Sequence, residues 1–211
     1  MDYLLVIKNE ITENKLEINK MRKVVLILIL VFPTLTVLGQ DVWALDPGHS
    51  RIRFTVTHHM ISEVDGFFRE FEATMKTTKD DFSDAVFEFS TKTASINTEN
   101  ENRDKHLKSP DIFDVEKYPV MSFKSTSFSQ IAGEHYKVTG DMIIKENTLP
   151  ITLDVWLVGP VENERAKRHE LGFKASGSLM RQAFGVGENL STLSVSDEVG
   201  LRITGEFNKS Y

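Results

Sequence analysis

The sequence predicts an all-β protein, an antiparallel barrel of about eight strands with one short helical insertion. Three observations predict it. From Val42 onward apolar and polar residues alternate in segment after segment, the period-two pattern of strands with one wet and one buried face. The pattern recurs along a body of about 170 residues, which argues for one sheet curled around one interior. Only the stretch Thr98–Tyr118 breaks it with helix signals.

The chain opens with a leader. Arg22 and Lys23 precede an apolar run, Val24–Phe32, and the small residue Gly39 precedes Gln40. A short basic segment, a short apolar core and a small residue form a secretory signal pattern. The run is too short for a comfortable helical span of about 20 residues. We therefore expect residues 21–39 to be a signal peptide, with a retained membrane anchor as the alternative, cleavage before Gln40, a periplasmic or secreted domain over 40–211, and no stable membrane span after cleavage. Residues 1–20 have mixed charge and read either as an over-extended gene start, with Met21 the true first residue, or as a cytoplasmic tail.

The body alternates as follows. Ile52, Phe54 and Val56 interleave with Arg51, Arg53, Thr55 and Thr57. Phe87 and Phe89 flank Glu88, and Met121 and Phe123 flank Ser122. Val138, Gly140, Met142 and Ile144 form one face of a further strand. Leu171, Phe173, Ala175 and Leu179 form another, and Leu201, Ile203 and Phe207 the last. These apolar sets are expected inside, with Arg53, Glu88, Lys124 and Lys174 outside. In Ile151–Val158, Trp156 falls opposite Val155 and Leu157, as in a strand covered on both sides. In the insertion, Thr98 with Glu101 reads as a capping box, and Ser109-Pro110 as the end of that helix and the start of a second. Tyr118-Pro119 returns the chain to extended structure.

Composition excludes several functions. There is no cysteine, which removes disulfides, thiol catalysis and a lipidated Cys anchor. Past residue 39 there are 20 basic and 27 acidic side chains, the wrong balance for nucleic acid. Neighbours on a strand point to opposite faces, so His58-His59 cannot share a metal ion without a bulge. Asp46, His49, His106, His135 and His169 lack ligand spacing. No GxSxG elbow occurs, Gly185-Val-Gly187 matches no phosphate-binding pattern, and Asp80-Asp81 reads as a solvated turn. Neither a metal nor a cofactor is expected.

Two features point to binding. The 14 Phe outnumber 4 Tyr and 2 Trp, a set that suits an ordinary aromatic core or an apolar cavity equally. The polar run Asn100–Leu107 holds Arg103, which either fastens the insertion to the barrel or offers a planar fork to an anionic or carbonyl head group at a pocket mouth.

Five stretches then carry a resemblance. They are Trp43-Ala-Leu-Asp46 with His49-Ser50 and Phe54–His58; Val64-Asp-Gly66-Phe67-Phe68 to Phe71; Asn102-Arg103-Asp104-Lys-His106-Leu107 through Asp111, Phe113, Tyr118-Pro119 and Phe123; Val138-Thr-Gly140-Asp-Met142-Ile143-Ile144; and Arg181-Gln-Ala-Phe184-Gly185. In this order, over about Val42–Phe207, the chain resembles the YceI-like family of exported polyisoprenoid-binding proteins. The resemblance implies a lipocalin-like eight-stranded barrel around an elongated apolar pore for the tail of a polyprenyl phosphate or quinone. Ile112 stands where that family more often has a second Phe.

On this reading the chain is a lipid carrier and not an enzyme, and its partner is an apolar long-chain ligand, isoprenoid or fatty. Phe54, Val56, Phe68, Phe71, Phe87, Phe89 and Phe123 are expected to line the pocket, with Met75 and Met142 adapting to its shape. Arg103, His106 and Arg181 are expected as donors at the mouth. The sequence leaves open a homodimer, an enzyme acting on a lipid within the barrel, and a filled barrel acting through its outer surface.

Overall fold

The computed structural model describes residues 10, 12–20 and 39–210. The apolar run of the expected leader lies outside the described residues, and residues 12–20 form a helical segment in a separate unit.

The body contains strands β1 (Asp41–His58), β2 (Ser62–Phe68), β3 (Phe71–Thr77), β4 (Val86–Lys92) and β5 (Ile96–Asn97), then helix α1 (Glu101–Lys108). Strands β6 (Val120–Ala132), β7 (His135–Ile144), β8 (Asn147–Asn163), β9 (Arg168–Met180) and β10 (Val195–Ser210) complete it. Single 3-10 turns occupy Thr93–Ser95 and Gln182–Phe184. All pairings are antiparallel. β2 pairs with β1 at Ile52–His58 and β3 pairs with β1 at Asp41–Ala44, so β2 and β3 are two stretches of one strand broken at Arg69-Glu70. β4 and β5 continue each other likewise, pairing with β3 and β2 in turn. The long β10 pairs with β1, Ile52 opposite Ile203, and closes an eight-stranded barrel. Closure leaves no free edge in the ring.

The alternation faces the expected way. Ile52, Phe87, Phe123, Val138, Met142, Ile144, Leu171 and Phe173 are buried, while Arg53, Lys124 and Lys174 are exposed. Two irregularities change which parity points inward. Between Asp46 and Arg51 a register shift moves β1 from Trp43 inside to Ile52 inside. The break after Phe68 moves the inward set from Gly66 and Phe68 to Ala73, Met75 and Thr77. A single slipped residue inverts a strand's faces, so each irregularity bends the sheet while keeping apolar side chains inside.

Three expectations are corrected. Asn100, not Thr98, caps α1: its Oδ1 accepts from Arg103 N at 3.0 Å. Thr98 is engaged elsewhere, donating from its N (2.8 Å) and Oγ1 (2.6 Å) to the buried Asp104. No second helix forms at Pro110. The chain turns back instead, Phe113 N donating to Leu107 O and Asp114 N to Ser109 O, with Asp114 at φ 47°. Finally, β8 is not covered on both sides: Val155 and Leu157 are buried, but Trp156 is half exposed outside the barrel, stacked on His135 at 4.6 Å.

The interior divides into a packed half and a hollow half. In the packed half Phe87 stacks on Phe173 with ring centroids 5.3 Å apart, and Phe207 meets both edge-on at 6.1 and 5.4 Å. Met75, Leu171 and Trp43 fill the space around them. Such offset and edge-on pairs are favourable beyond the area they bury.

Candidate ligand-binding site

The hollow half holds a cavity of about 390 Å³, within the roughly 300–1,000 Å³ of small-molecule sites. Phe87 belongs both to its lining and to the aromatic cluster, and so forms its floor. Cross-strand pairing builds one wall: Phe89 stands opposite Phe123, and Phe123 opposite Met142. The other wall comes from the closing strands, where Phe54 faces Leu201, Ile52 faces Ile203 and Val56 faces Val199. Phe54, Phe89, Leu201 and Ile203 are only partly buried although they point inward, because one side of each borders the cavity.

The ring of Phe54 lies over Gly66, its cross-strand partner. A Cβ on Gly66 would run into Phe54 Cζ. A glycine is needed there because the phenyl group occupies the space of a side chain. The ring of Phe54 also meets that of Phe68 at 5.8 Å, and Phe68 meets Phe113 edge-on at 6.3 Å.

The mouth is covered by α1, the turn after it and the loop between β9 and β10. Leu107, Ile112 and Phe113 come from the first two, and Val186, Gly187 and Leu190 from the loop. The polar groups on the lining are His58, Thr91, Thr98, Arg103, His106 and Arg181. Arg103 and His106 are exposed, on successive turns of one helix face. Arg103 Nε donates to Thr98 Oγ1 (2.7 Å) and Nη2 to Thr98 O (2.8 Å). Those two bonds use two of its five N–H groups.

Arg181 is different. It is buried, and its guanidinium donates to five backbone carbonyls. Nε meets Ser196 O, Nη1 meets Val186 O and Gly187 O, and Nη2 meets Leu190 O and Val195 O, at 2.6–3.0 Å. Burial pushes its pKa down from the ordinary value, while the nearby Asp197 charge acts the other way. With all five donors engaged, Arg181 holds the mouth loop and has none left for a head group, contrary to the sequence expectation.

The structure therefore brings Phe54, Val56, Phe68, Phe87, Phe89, Phe123 and Met142 onto one lining with Arg103, His106 and Arg181. It does not bring Phe71 or Met75 there. Both stand on β3 below the break, where Met75 is fully buried between Trp43 and Phe87 in the packed half, and Phe71 packs on the core without bordering the cavity. His58 and His59 also depart from expectation. The strand ends at His58 and His59 turns at φ 48°, so the rings meet edge-on at 4.0 Å and do not face opposite ways. Sequence reasoning missed Leu107 and Phe113 as lining. Their signal was faint: apolar residues in or just after a run otherwise dense in charge.

Comparisons with known proteins agree with this architecture. The model of the YceI-like domain family matches residues 43–207. A UPF0312 protein of Staphylococcus aureus (strain USA300) is 33% identical over 147 residues, covering 70% of this chain and 83% of its own. The crystal structure of a Campylobacter jejuni YCEI protein superposes with a TM-score of 0.66 at 31% identity, over 72% of this chain and 88% of that one. A polyisoprenoid binding domain from Saccharophagus degradans, implicated in plant cell wall breakdown, shares the fold at a TM-score of 0.57 and 12% identity, over 81% and 99%. With the family model spanning nearly the whole barrel, the chain belongs to the YceI-like family.

Proposed function

We propose that the protein is an exported, non-catalytic lipid carrier. It holds the chain of a polyprenyl phosphate, an isoprenoid quinone or a similar long-chain lipid in the barrel, with the head group at the mouth. The observation that carries this reading is the hollow half of the barrel, an apolar cavity whose few polar groups gather at one end. An isoprenoid tail offers only methyl and methylene surface. Its affinity has to come from apolar burial, at roughly 25 cal/mol per Å² before ordering costs. Partly buried Phe54, Phe89, Leu201 and Ile203 supply that surface. A charged head group left unpaired inside would be expensive, and Arg103 has N–H groups left at the mouth to meet one outside.

A filled barrel is disfavoured by the cavity itself. An enzyme would need a convergent acid–base pair on the wall, and the titratable groups on the lining are His58, Arg103, His106 and Arg181, with no carboxylate among them. Export rests on the leader pattern, and secreted material should begin at or near Gln40.

The test is titration of delipidated protein with polyprenyl phosphates, isoprenoid quinones and long-chain fatty derivatives. Saturable binding near one equivalent is expected, and Phe89→Asp, which puts a charge against the tail, should abolish it while circular dichroism confirms the β-sheet. Folded wild-type protein that binds none of the three classes sinks the carrier reading.

A further inference from the structure

Beside the mouth the protein exposes apolar side chains where local chemistry favours small or polar ones. The β1–β2 turn is closed by Ile61 N donating to His58 O at 3.2 Å. His59 (φ 48°) and Met60 (φ 58°) are both left-handed. Consecutive left-handed positions in a hairpin favour Asn and Gly, and large side chains there are uncommon. Met60 is nevertheless 69% exposed and Ile61 87%. The turn is not isolated. His59 N donates to Ser194 O at 2.9 Å and His58 pairs with Val195. This brings up the loop that carries Leu193, itself 63% exposed. His58 and Val195 line the cavity, so the three exposed side chains flank its opening. Around them stand the uncharged Ser62, Ser191, Thr192 and Ser194, with His59 joining the two loops and Glu63 the first carboxylate along β2.

We propose that Met60, Ile61 and Leu193 form a docking edge that dips into the surface of a lipid bilayer and sets the mouth of the cavity against it. The proposal rests on the carrier reading for its purpose. A lipid chain passing from a bilayer to the cavity avoids water only if the rim touches hydrocarbon, and these side chains are strongly exposed apolar groups beside that rim. Exposed apolar clusters with polar borders mark interaction surfaces, and interfacial anchors of this kind reach only the boundary of the acyl region. The chain carries a net charge of −6. Attachment is therefore by apolar contact and not by attraction to anionic lipid, and salt should not reverse it.

The experiment compares wild type with a triple variant, Met60→Ser, Ile61→Ser and Leu193→Ser, none of which lines the cavity. Three quantities are read. They are co-sedimentation with phosphatidylcholine vesicles at low and high salt, the rate at which a dansyl-labelled geranylgeranyl lipid moves between vesicles, and capture of that lipid from cyclodextrin. Wild type should co-sediment at both salt levels. The triple variant should lose about tenfold or more in vesicle partitioning and in transfer rate, with capture from cyclodextrin unchanged. Ile61→Trp should strengthen partitioning, since Trp favours the interface, and Ile61→Ser alone serves if the triple variant is unstable. The proposal is overturned if wild type ignores vesicles, if the variants partition as wild type does, or if the substitutions change only self-association or binding to another protein. If neither protein captures the lipid from cyclodextrin yet only wild type co-sediments, the docking edge stands and the carrier reading fails.

Discussion

Arg181 gathers five carbonyls from Val186 to Ser196 around one guanidinium and so shapes the loop over the mouth. Lysine has three donors on a flexible stem and no planar fork. Arg181→Lys should leave at least two carbonyls unpaired and lower the urea-unfolding free energy by about 2–4 kcal/mol. Hydrogen exchange over residues 186–195 should speed up with it. In the sequence an Arg beside a Gly-rich loop reads the same as a loop clamp or as a ligand donor. Which carbonyls lie within reach is decided only when the barrel closes, so this role was not legible. Asp84 presents a separate case. It accepts from Thr77 Oγ1 (2.6 Å) and from Thr78 Oγ1 and N (2.5 and 3.0 Å). These bonds hold its carboxyl well below the usual carboxylate range. On acidification the unfolded chain takes up that proton first. The stabilisation is thus complete above the ordinary carboxylate value and is lost as pH falls toward the folded one. Asp84→Asn should flatten the fall in stability between about pH 5 and about pH 2, measured by denaturant titration at a series of pH values.

Among the elements, strands were legible because a period of two with one wet face leaves little else for the chain to form. Breaks within strands were not: Arg69-Glu70 and the shift after Asp46 alter parity without changing composition. Nor does alternation tell height along the barrel, so nothing in the sequence sets Phe71 and Met75 below the cavity. The helix was legible but its cap was not, since Thr98 and Asn100 both offer a suitable oxygen. Asp104 engages the first and frees the second for Arg103 N. The pairing of β1 with β2 makes a testable link to the site. Gly66→Ala puts a methyl group where the Phe54 ring lies, and the ring can escape only by swinging toward the cavity it lines. Overpacking of this kind costs about 1–3 kcal/mol. The variant should stay folded, and its affinity for a long-chain ligand should drop about tenfold, as 1.4 kcal/mol would give, by fluorescence titration.

At the scale of the whole molecule, the division into a packed and a hollow half was the least legible feature, because Phe87, Phe89 and Phe123 suit either. What separates them is where rings meet rings across the barrel. The hollow half leaves apolar surface uncovered, so anything that fills it stabilises the fold by mass action. Ligand at 100 times its dissociation constant should add about 2.7 kcal/mol, seen as a rise in melting temperature of delipidated protein that Phe89→Asp does not show. Ile52 meets Ile203, and β1 finds its partner in β10 over Ala44–Asp46 and again over Arg51–Val56. The ring is completed between segments about as far apart in sequence as this body allows, and pairings of such separation form slowly. Until β10 is in place, β1 has no partner along one of its edges. The barrel therefore shuts only when the last strand arrives.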